Sequence, residues 1–144
     1  MKILVIEDNE KHLRDAKKFF SAMSEIEVLY AEDYRGANVE EKLKEVGGVI
    51  SDIFFPLKKG DKTWGQEEPI GVSIMMRCRE LKLPCILNTS GYHHGSRYQW
   101  ICDLQRDFSL PEIVDSTGDY FKEAETKNWQ RAFDELSKLL KYNT

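Results

Sequence analysis

Hydrophobic residues along the chain follow two patterns that alternate. Short unbroken apolar runs, such as Ile3 to Ile6, are typical of strands that are covered on both faces of a sheet. Such runs occur at residues 3–6, 48–52 and 84–87. With the segment 26–31, which is mixed in polarity, and residues 117–121, they make five predicted strands. Between them, apolar residues recur every three or four positions, as from Leu13 to Met23, which predicts amphipathic helices. These helices are placed at residues 13–23, 34–46, 71–81, 98–108 and 129–140.

Strand and helix therefore alternate five times along the chain. This alternation predicts an α/β fold, in which a parallel sheet is covered by helices on both faces. We expect a doubly wound five-stranded parallel sheet of order 2-1-3-4-5. No linker, internal repeat or low-complexity tract interrupts the pattern, so residues 1–144 are expected to form a single domain.

The fifth strand has two candidate positions. Thr117 to Phe121 is favoured because the last helix would then begin a few residues after Lys122, as a short connection requires. Ile113 and Val114 form the more apolar pair and are the alternative. If they are the strand, Lys122 lies about eight residues beyond its end and away from the site.

Composition narrows the range of functions. The chain has 144 residues, 41% of them hydrophobic and 32% charged, which is typical of a globular domain. Its net charge of -4 argues against nucleic-acid binding, and no apolar run approaches the roughly 20 residues that span a bilayer. The amino terminus lacks the pattern of a signal peptide, and the three cysteines form no CxxC pair. A cytoplasmic location with reduced thiols is therefore expected.

Acidic residues follow the first and third predicted strands directly. Glu7 and Asp8 come after the first strand, and Asp52 comes near the end of the third. In such a sheet, ligands bind at the carboxyl ends of the strands, where the strand order reverses. Three carboxylates crowded at that point would repel one another unless a cation were present. Mg²⁺ suits the position because it accepts a few carboxylates together with water and phosphate oxygens.

The next two predicted strands bring further polar groups to the same edge. Thr89 follows the fourth strand with a hydroxyl, and Lys122 follows the favoured fifth strand with an ammonium group. Acids, a hydroxyl and an ammonium group around a cation form a site for a phosphoryl group on a carboxylate oxygen.

In these positions the sequence resembles the receiver domain of two-component response regulators, over essentially its whole length. The resemblance rests on positions that occur in the same order as in that family. They are the acidic pair Glu7-Asp8, Asp52 with Pro56 four residues later, Thr89 and Lys122. It implies a flavodoxin-like receiver fold.

The resemblance also implies a role for each matched residue. Asp52 would be the phosphoacceptor, and Mg²⁺ would be held by Glu7, Asp8, Asp52 and the backbone carbonyl of Phe54. Thr89 would be the switch hydroxyl, and Lys122 would pair with the phosphoryl oxygen. Tyr120 matches the aromatic residue whose rotamer reports activation in this family.

The sequence departs from the family pattern in three places. Glu123 follows Lys122 where the family usually has proline. The segments Leu57 to Pro69 and Gly91 to Ser116 are longer than usual. Long loops near a site are often functional. We therefore hypothesise that the first segment, with Trp64 and the two lysines at 58–59, partly covers the acidic cleft or contacts a partner.

The expected function is that of a stand-alone receiver that takes a phosphoryl group from a histidine kinase or phosphotransfer protein. It would catalyse only its own phosphorylation and dephosphorylation, and its output would pass to an unknown downstream protein, without nucleic acid or membrane. A homodimer is left open. The alternative is a receiver-like interaction module that is not phosphorylated. A magnesium-dependent phosphatase of the haloacid dehalogenase type is disfavoured, because that type needs a second aspartate where Phe54 lies.

Overall fold

Four parallel strands form the central sheet of the computed structural model, which describes residues 1–91, 97–117 and 122–142. The strands of the described residues are β1 (Lys2–Ile6), β2 (Glu27–Ala31), β3 (Gly48–Ser51), β4 (Phe55–Pro56), β5 (Glu67–Glu68) and β6 (Cys85–Leu87). The central sheet has the order β2-β1-β3-β6. These are the first four strands predicted from the sequence, so the α/β class and the relative order of these strands are confirmed.

Helices cover both faces of this sheet. They are α1 (Glu10–Ser21), α2 (Val39–Lys42), α3 (Ile70–Glu80), α4 (Gln99–Phe108) and α5 (Trp129–Tyr142). Side chains alternate along β1, so that Ile3 and Val5 pack in the core with α1 and α5. Leu4 and Ile6 pack in a second core with the other three helices. These four of the five β1 side chains are fully buried, which explains the unbroken apolar run.

The second helix is much shorter than the sequence predicted. Only Val39–Lys42 is α-helical within the predicted segment 34–46. The carboxylate of Asp33 accepts hydrogen bonds from the backbone N–H groups of Ala37, at 2.7 Å, and Lys59, at 2.8 Å. A side chain that binds nearby backbone groups in this way competes with helix formation. Asp33 therefore stabilises a turn where apolar spacing alone indicated a helix.

Val114 lies next to the end of β6 and forms backbone hydrogen bonds there. Its N–H donates to Leu87 at 2.9 Å, and its carbonyl accepts from the N–H of Thr89 at 2.8 Å. This is a single parallel bridge, between Asn88 and Val114, rather than a described strand. The alternative at Ile113 and Val114 is therefore the one that lies beside β6. The favoured strand, Thr117 to Phe121, falls mostly on residues 118–121, which lie outside the described residues.

The long segment after β3 has structure of its own. β4 and β5 pair in an antiparallel fashion, with Phe55 opposite Glu68 and Pro56 opposite Glu67. Between them, the N–H of Lys58 donates to the carbonyl of Trp64 at 3.2 Å. Arg35 lies over the ring of Trp64, with 4.3 Å between its guanidinium carbon and the ring centroid. The segment predicted as a plain loop therefore contains a small hairpin, which we call the β4–β5 hairpin (residues 55–68).

Within the described residues, none of the helices combines the length and the apolar character that crossing a bilayer would require.

Candidate phosphoryl and metal site

The three predicted acids come together at the carboxyl edge of the sheet. Ile6 lies beside Ser51 in the parallel register of β1 and β3, so the next residues on each strand, Glu7 and Asp52, are neighbours. The N–H of Asp52 donates to the carbonyl of Ile6 at 2.8 Å and extends the ladder to the site. One side-chain oxygen from each of Glu7, Asp8 and Asp52 lies within 4.8 Å of the others. The clustering predicted from the strand ends is therefore present.

Lys127 supplies the ammonium group of this cluster. Its Nζ lies 3.0 Å from Oδ1 of Asp52 and donates to Oε2 of Glu7. The side chain of Lys127 is 1% exposed and that of Glu7 is 0% exposed, so both charges are removed from water. Burial lowers the pKa of Lys127, but the charges of Asp52 and Glu7 outweigh this and leave the pKa above its ordinary value. The ammonium group therefore stays protonated.

The position of Lys127 corrects the assignment of Lys122. Lys122 is solvent-exposed, whereas Lys127 is the lysine in contact with Asp52. Because Val114 takes the place beside β6, the chain runs through residues 115–128 before α5 begins, and the lysine that returns to the site comes later in this connection. Lys127 lies two residues before Trp129, the first residue of α5. The rival strand at 113–114, combined with a search for a lysine near the start of the last helix, would have found it.

Burial and repulsion from neighbouring carboxylates raise the pKa values of Glu7 and Asp8. Burial raises the pKa of Glu7 to about 7, with a further increase from Asp52 and an opposing effect from Lys127. The pKa of Asp8 is raised to about 8, first by burial, then by the charge of Asp52 and by a hydrogen bond with Glu67. Without a cation, the cluster therefore holds protons near neutral pH.

Thr89 lines the same cleft as Asp52. Its side chain is buried, and its Oγ1 accepts a hydrogen bond from the N–H of Gly91 at 3.1 Å. The hydroxyl of Thr89 also hydrogen-bonds to the hydroxyl of Tyr98, which donates in turn to Oε1 of Glu123 at 3.2 Å. Burial raises the pKa of Tyr98, so the phenol remains protonated at neutral pH. Tyr120, the predicted aromatic switch, lies outside the described residues.

Arg97 lines the cleft, and its side chain is about half exposed to solvent. Its guanidinium carbon is 3.7 Å from the ring centroid of Phe54, a close cation–π contact. The Nη2 atom of Arg97 lies 3.6 Å from Oε2 of Glu67 on β5, and the Nη1 atom lies 3.6 Å from Oε1 of Glu123. Arg97 and Glu67 have no fixed spacing from the acids along the chain, and only the tertiary structure brings them into the cleft.

The segment 57–69 was predicted to cover the acidic cleft or to contact a partner, and one of its residues does lie at the cleft. Glu67 of the β4–β5 hairpin lines the cleft and hydrogen-bonds to Asp8. Trp64 instead contacts Arg35, and Lys59 pairs with Glu32 at 2.7 Å, so these predicted contact residues point to other parts of the surface. The segment therefore reaches the site through Glu67.

The donors at the site fit a hard divalent cation. Glu7, Asp8 and Asp52 offer oxygen ligands at mutual distances that one ion can bridge, and Mg²⁺ prefers such ligands. Asp8 and Asp52 are partly exposed, which leaves access for water and phosphate oxygens. Phe54, the predicted carbonyl ligand, lines the same cleft, whose volume is about 80 Å³.

Comparison with solved structures identifies the class of fold. The chain is similar to the RcsB response regulator of Salmonella typhimurium, which was described for its conformational dynamism in DNA interaction. The TM-score is 0.58 and the identity 18%, over 98% of this chain and 66% of that one. At this identity the likeness establishes the fold, so the chain has a response-regulator receiver fold. It spans slightly less than two thirds of the length of that response regulator. Neither a comparison with models of protein families nor a search of curated proteins finds a match.

Proposed function

We propose that the chain accepts a phosphoryl group on Asp52, in the presence of Mg²⁺, from a histidine kinase or a phosphotransfer protein. The observation that carries this proposal is the 3.0 Å contact between Lys127 Nζ and Asp52 Oδ1, inside a cluster of three carboxylates. An ammonium group at this position stabilises negative charge that develops on a transferring phosphoryl group. Lys127 takes the role that the family resemblance gave to Lys122.

The reaction requires one carboxylate oxygen of Asp52 to attack the phosphorus of the donor. The new O–P bond forms as the bond between phosphorus and its leaving group breaks, and the leaving group departs with that electron pair. The N–H of Ile53 donates to Oδ1 of Asp52 at 2.8 Å, as does the Lys127 ammonium group, so two donors hold this oxygen in place. Bound Mg²⁺ would neutralise charge on the phosphoryl oxygens.

Thr89 is proposed as the switch residue of the same site. Its hydroxyl lies in the cleft and is hydrogen-bonded to Tyr98. A phosphoryl oxygen on Asp52 would compete with Tyr98 for the hydrogen bond of this hydroxyl. We expect the response to reach a downstream protein through surface contacts, in the cytoplasm, and without direct binding of nucleic acid. The excess of acidic residues, 25 against 21 lysines and arginines, supports the last point.

The test is incubation of the protein with acetyl phosphate and Mg²⁺, followed by mass spectrometry of the intact chain. The wild type is expected to gain the mass of one phosphoryl group, and Asp52→Asn is expected to gain none. Asp15→Asn is the matched control, because Asp15 is an exposed carboxylate on α1 that pairs with Lys11. A wild type that gains no mass, or an Asp52→Asn protein that still gains it, contradicts the proposal.

A receiver-like interaction module that is not phosphorylated is the second candidate. It is favoured by the contacts of Arg97 with Glu67 and Glu123, which bridge the entrance of a small cleft. If these contacts keep the cleft closed, acetyl phosphate will not reach Asp52. The same mass measurement separates the candidates, since only a phosphoacceptor gains mass at Asp52.

A further inference from the structure

Phosphorylation would bring further negative charge into a cleft that is already acidic. The residues lining the cleft include four acids, Asp8, Asp52, Glu67 and Glu123. Lys127 lies beneath the cleft, where Glu7 and Asp52 already share its charge. Bound Mg²⁺ would offset part of the charge of a phosphoryl group, and a cationic side chain in the cleft would offset more of it.

Among the side chains that line the cleft, the guanidinium group of Arg97 supplies a permanent positive charge. It is held above Phe54, two residues after the proposed phosphoacceptor, by the 3.7 Å contact with the ring. Its two carboxylate partners are each 3.6 Å away, and its side chain is 47% exposed. Ion pairs this long and this exposed contribute little, about 0–1 kcal/mol each, so they exchange easily for a stronger partner.

We propose that Arg97 binds the phosphoryl group on Asp52 and leaves Glu67 and Glu123 when it does so. This inference rests on the proposed function, because it requires a phosphoryl group on Asp52. The planar guanidinium group suits a phosphoryl group, to which it donates two parallel hydrogen bonds, and a dianion is a better partner than a solvated carboxylate.

The exchange has a consequence for the surrounding surface. Glu67 belongs to the β4–β5 hairpin, and Glu123 lies in the connection between Val114 and α5. Both segments are joined through Arg97 in the unphosphorylated protein. Movement of Arg97 onto the phosphoryl group removes this link, so phosphorylation would separate the hairpin from the connection.

The experiment uses beryllofluoride, which imitates a phosphoryl group on a carboxylate, as the probe. Its affinity in the presence of Mg²⁺ is measured by titration calorimetry for the wild type, Arg97→Ala, Arg97→Lys and Arg106→Ala. Arg106 is the matched control, because it lies on α4 and pairs with Asp103 and Asp107 at the exposed surface. We expect Arg97→Ala to weaken binding about fivefold to tenfold, Arg97→Lys to weaken it less, and Arg106→Ala to leave it unchanged.

Two further readouts make the result specific. Mg²⁺ affinity without beryllofluoride should not fall in Arg97→Ala, because Arg97 repels a cation rather than binding it. Equal losses of Mg²⁺ and beryllofluoride affinity would place the effect at the cation and overturn the inference. If Arg97→Ala and the wild type bind beryllofluoride with equal affinity while the wild type is phosphorylated at Asp52, the inference about Arg97 is overturned and the proposed function stands. A wild type that neither binds beryllofluoride nor gains phosphoryl mass would overturn the proposed function as well.

Discussion

Lys127 carries a buried positive charge, which is balanced by carboxylates that follow two different strands. Glu7 follows β1 and Asp52 follows β3, and both carboxylates contact the same ammonium group. Removing one member of a buried ion pair leaves the other charge without compensation, which costs about 3–5 kcal/mol. The same substitution would remove the cation proposed to stabilise the transferring phosphoryl group. Stability and phosphorylation are therefore linked at this residue.

Lys127→Met is expected to lower the free energy of unfolding by about 3 kcal/mol and to abolish phosphorylation by acetyl phosphate. Urea unfolding and intact mass spectrometry measure the two effects. Lys122→Met is the control, because Lys122 is exposed, and it should change stability by less than about 0.5 kcal/mol while phosphorylation continues. The reverse result, with Lys122→Met inactive and Lys127→Met active, would restore the assignment made from the sequence.

Glu67 affects the site through a neighbouring acid. Its hydrogen bond and its charge both raise the pKa of Asp8, after the larger effects of burial and Asp52. Glu67→Gln removes this charge, so the pKa of Asp8 should fall from about 8 toward the ordinary aspartate value without reaching it. Titration of the side-chain carboxyl carbon by NMR measures the change.

Glu68→Gln is the control for this titration. Glu68 is the next residue on β5, is also exposed, and lies opposite Phe55 rather than in the cleft. Its replacement should leave the pKa of Asp8 unchanged. Equal shifts in both variants would show that general surface charge, rather than the contact with Glu67, sets the pKa of Asp8.

At the scale of elements, the first turn of α3 packs directly on the end of β3. The N–H of Gly71 donates to the carbonyl of Ile53 at 2.9 Å. A Cβ atom at Gly71 would lie 2.0 Å from the carbonyl oxygen of Asp52 and 2.8 Å from Cα of Ile53. The position requires glycine because two backbones approach each other there. A shift that relieves the overlap would move either the backbone of Asp52 or the first turn of α3.

Gly71→Ala is therefore expected to destabilise the protein by about 1–3 kcal/mol and to slow phosphorylation of Asp52. Thermal unfolding and the rate of mass gain with acetyl phosphate test both effects. Gly47→Ala is the matched control, because a Cβ atom there would lie at an ordinary 3.7 Å from the carbonyl of Lys2. A Gly71→Ala protein as stable as the wild type would show that α3 moves away from β3 without cost.

The elements with strong periodicity were predictable, and the connections were not. Strands with both faces buried, such as β1 and β3, show as unbroken apolar runs, and their ends placed Glu7, Asp8 and Asp52 correctly at one edge. Beside the end of β6 the structure has Val114, from the alternative at residues 113–114. The favoured segment 117–121 had been chosen because connections are usually short, and its residues 118–121 lie outside the described residues. The chain instead uses residues 115–128, which carry no apolar period, to reach α5.

Contacts between distant segments could not be predicted from the sequence either. Glu67 reaches Asp8 because β5 pairs with β4, and β4 follows β3 closely. Arg97, two residues before α4, contacts Phe54 only in the folded structure. Neither contact has a fixed sequence spacing, so a pattern of residue types carries no signal for it. These contacts also have no counterpart among the positions that carried the resemblance to the receiver family.

At the scale of the whole molecule, the acidic cluster makes stability depend on pH and on a cation. In the folded protein, burial of Glu7 and partial burial of Asp8 are the largest causes that raise their pKa values, to about 7 and about 8. An unfolded chain has carboxyl pKa values near 4, so between about pH 4 and pH 8 the folded state binds more protons than the unfolded state. The contribution of these two residues to stability is therefore present at low pH and is lost as the pH rises through this range.

We expect the free energy of unfolding without divalent cations to fall between about pH 5 and pH 8, and to fall less steeply in Asp8→Asn. Urea unfolding in the presence of a chelator measures both slopes, and their difference isolates Asp8 from the other titrating groups. Added Mg²⁺ should stabilise the wild type more at about pH 8 than at pH 5, because the carboxylates must lose their protons to bind it. Asp52→Asn should reduce this stabilisation, since it removes one of the three clustered ligands. Equal slopes for the wild type and Asp8→Asn would show that Asp8 does not bind a proton in the folded state over this pH range. A Mg²⁺ effect that does not change with pH would show that the clustered carboxylates do not bind the cation.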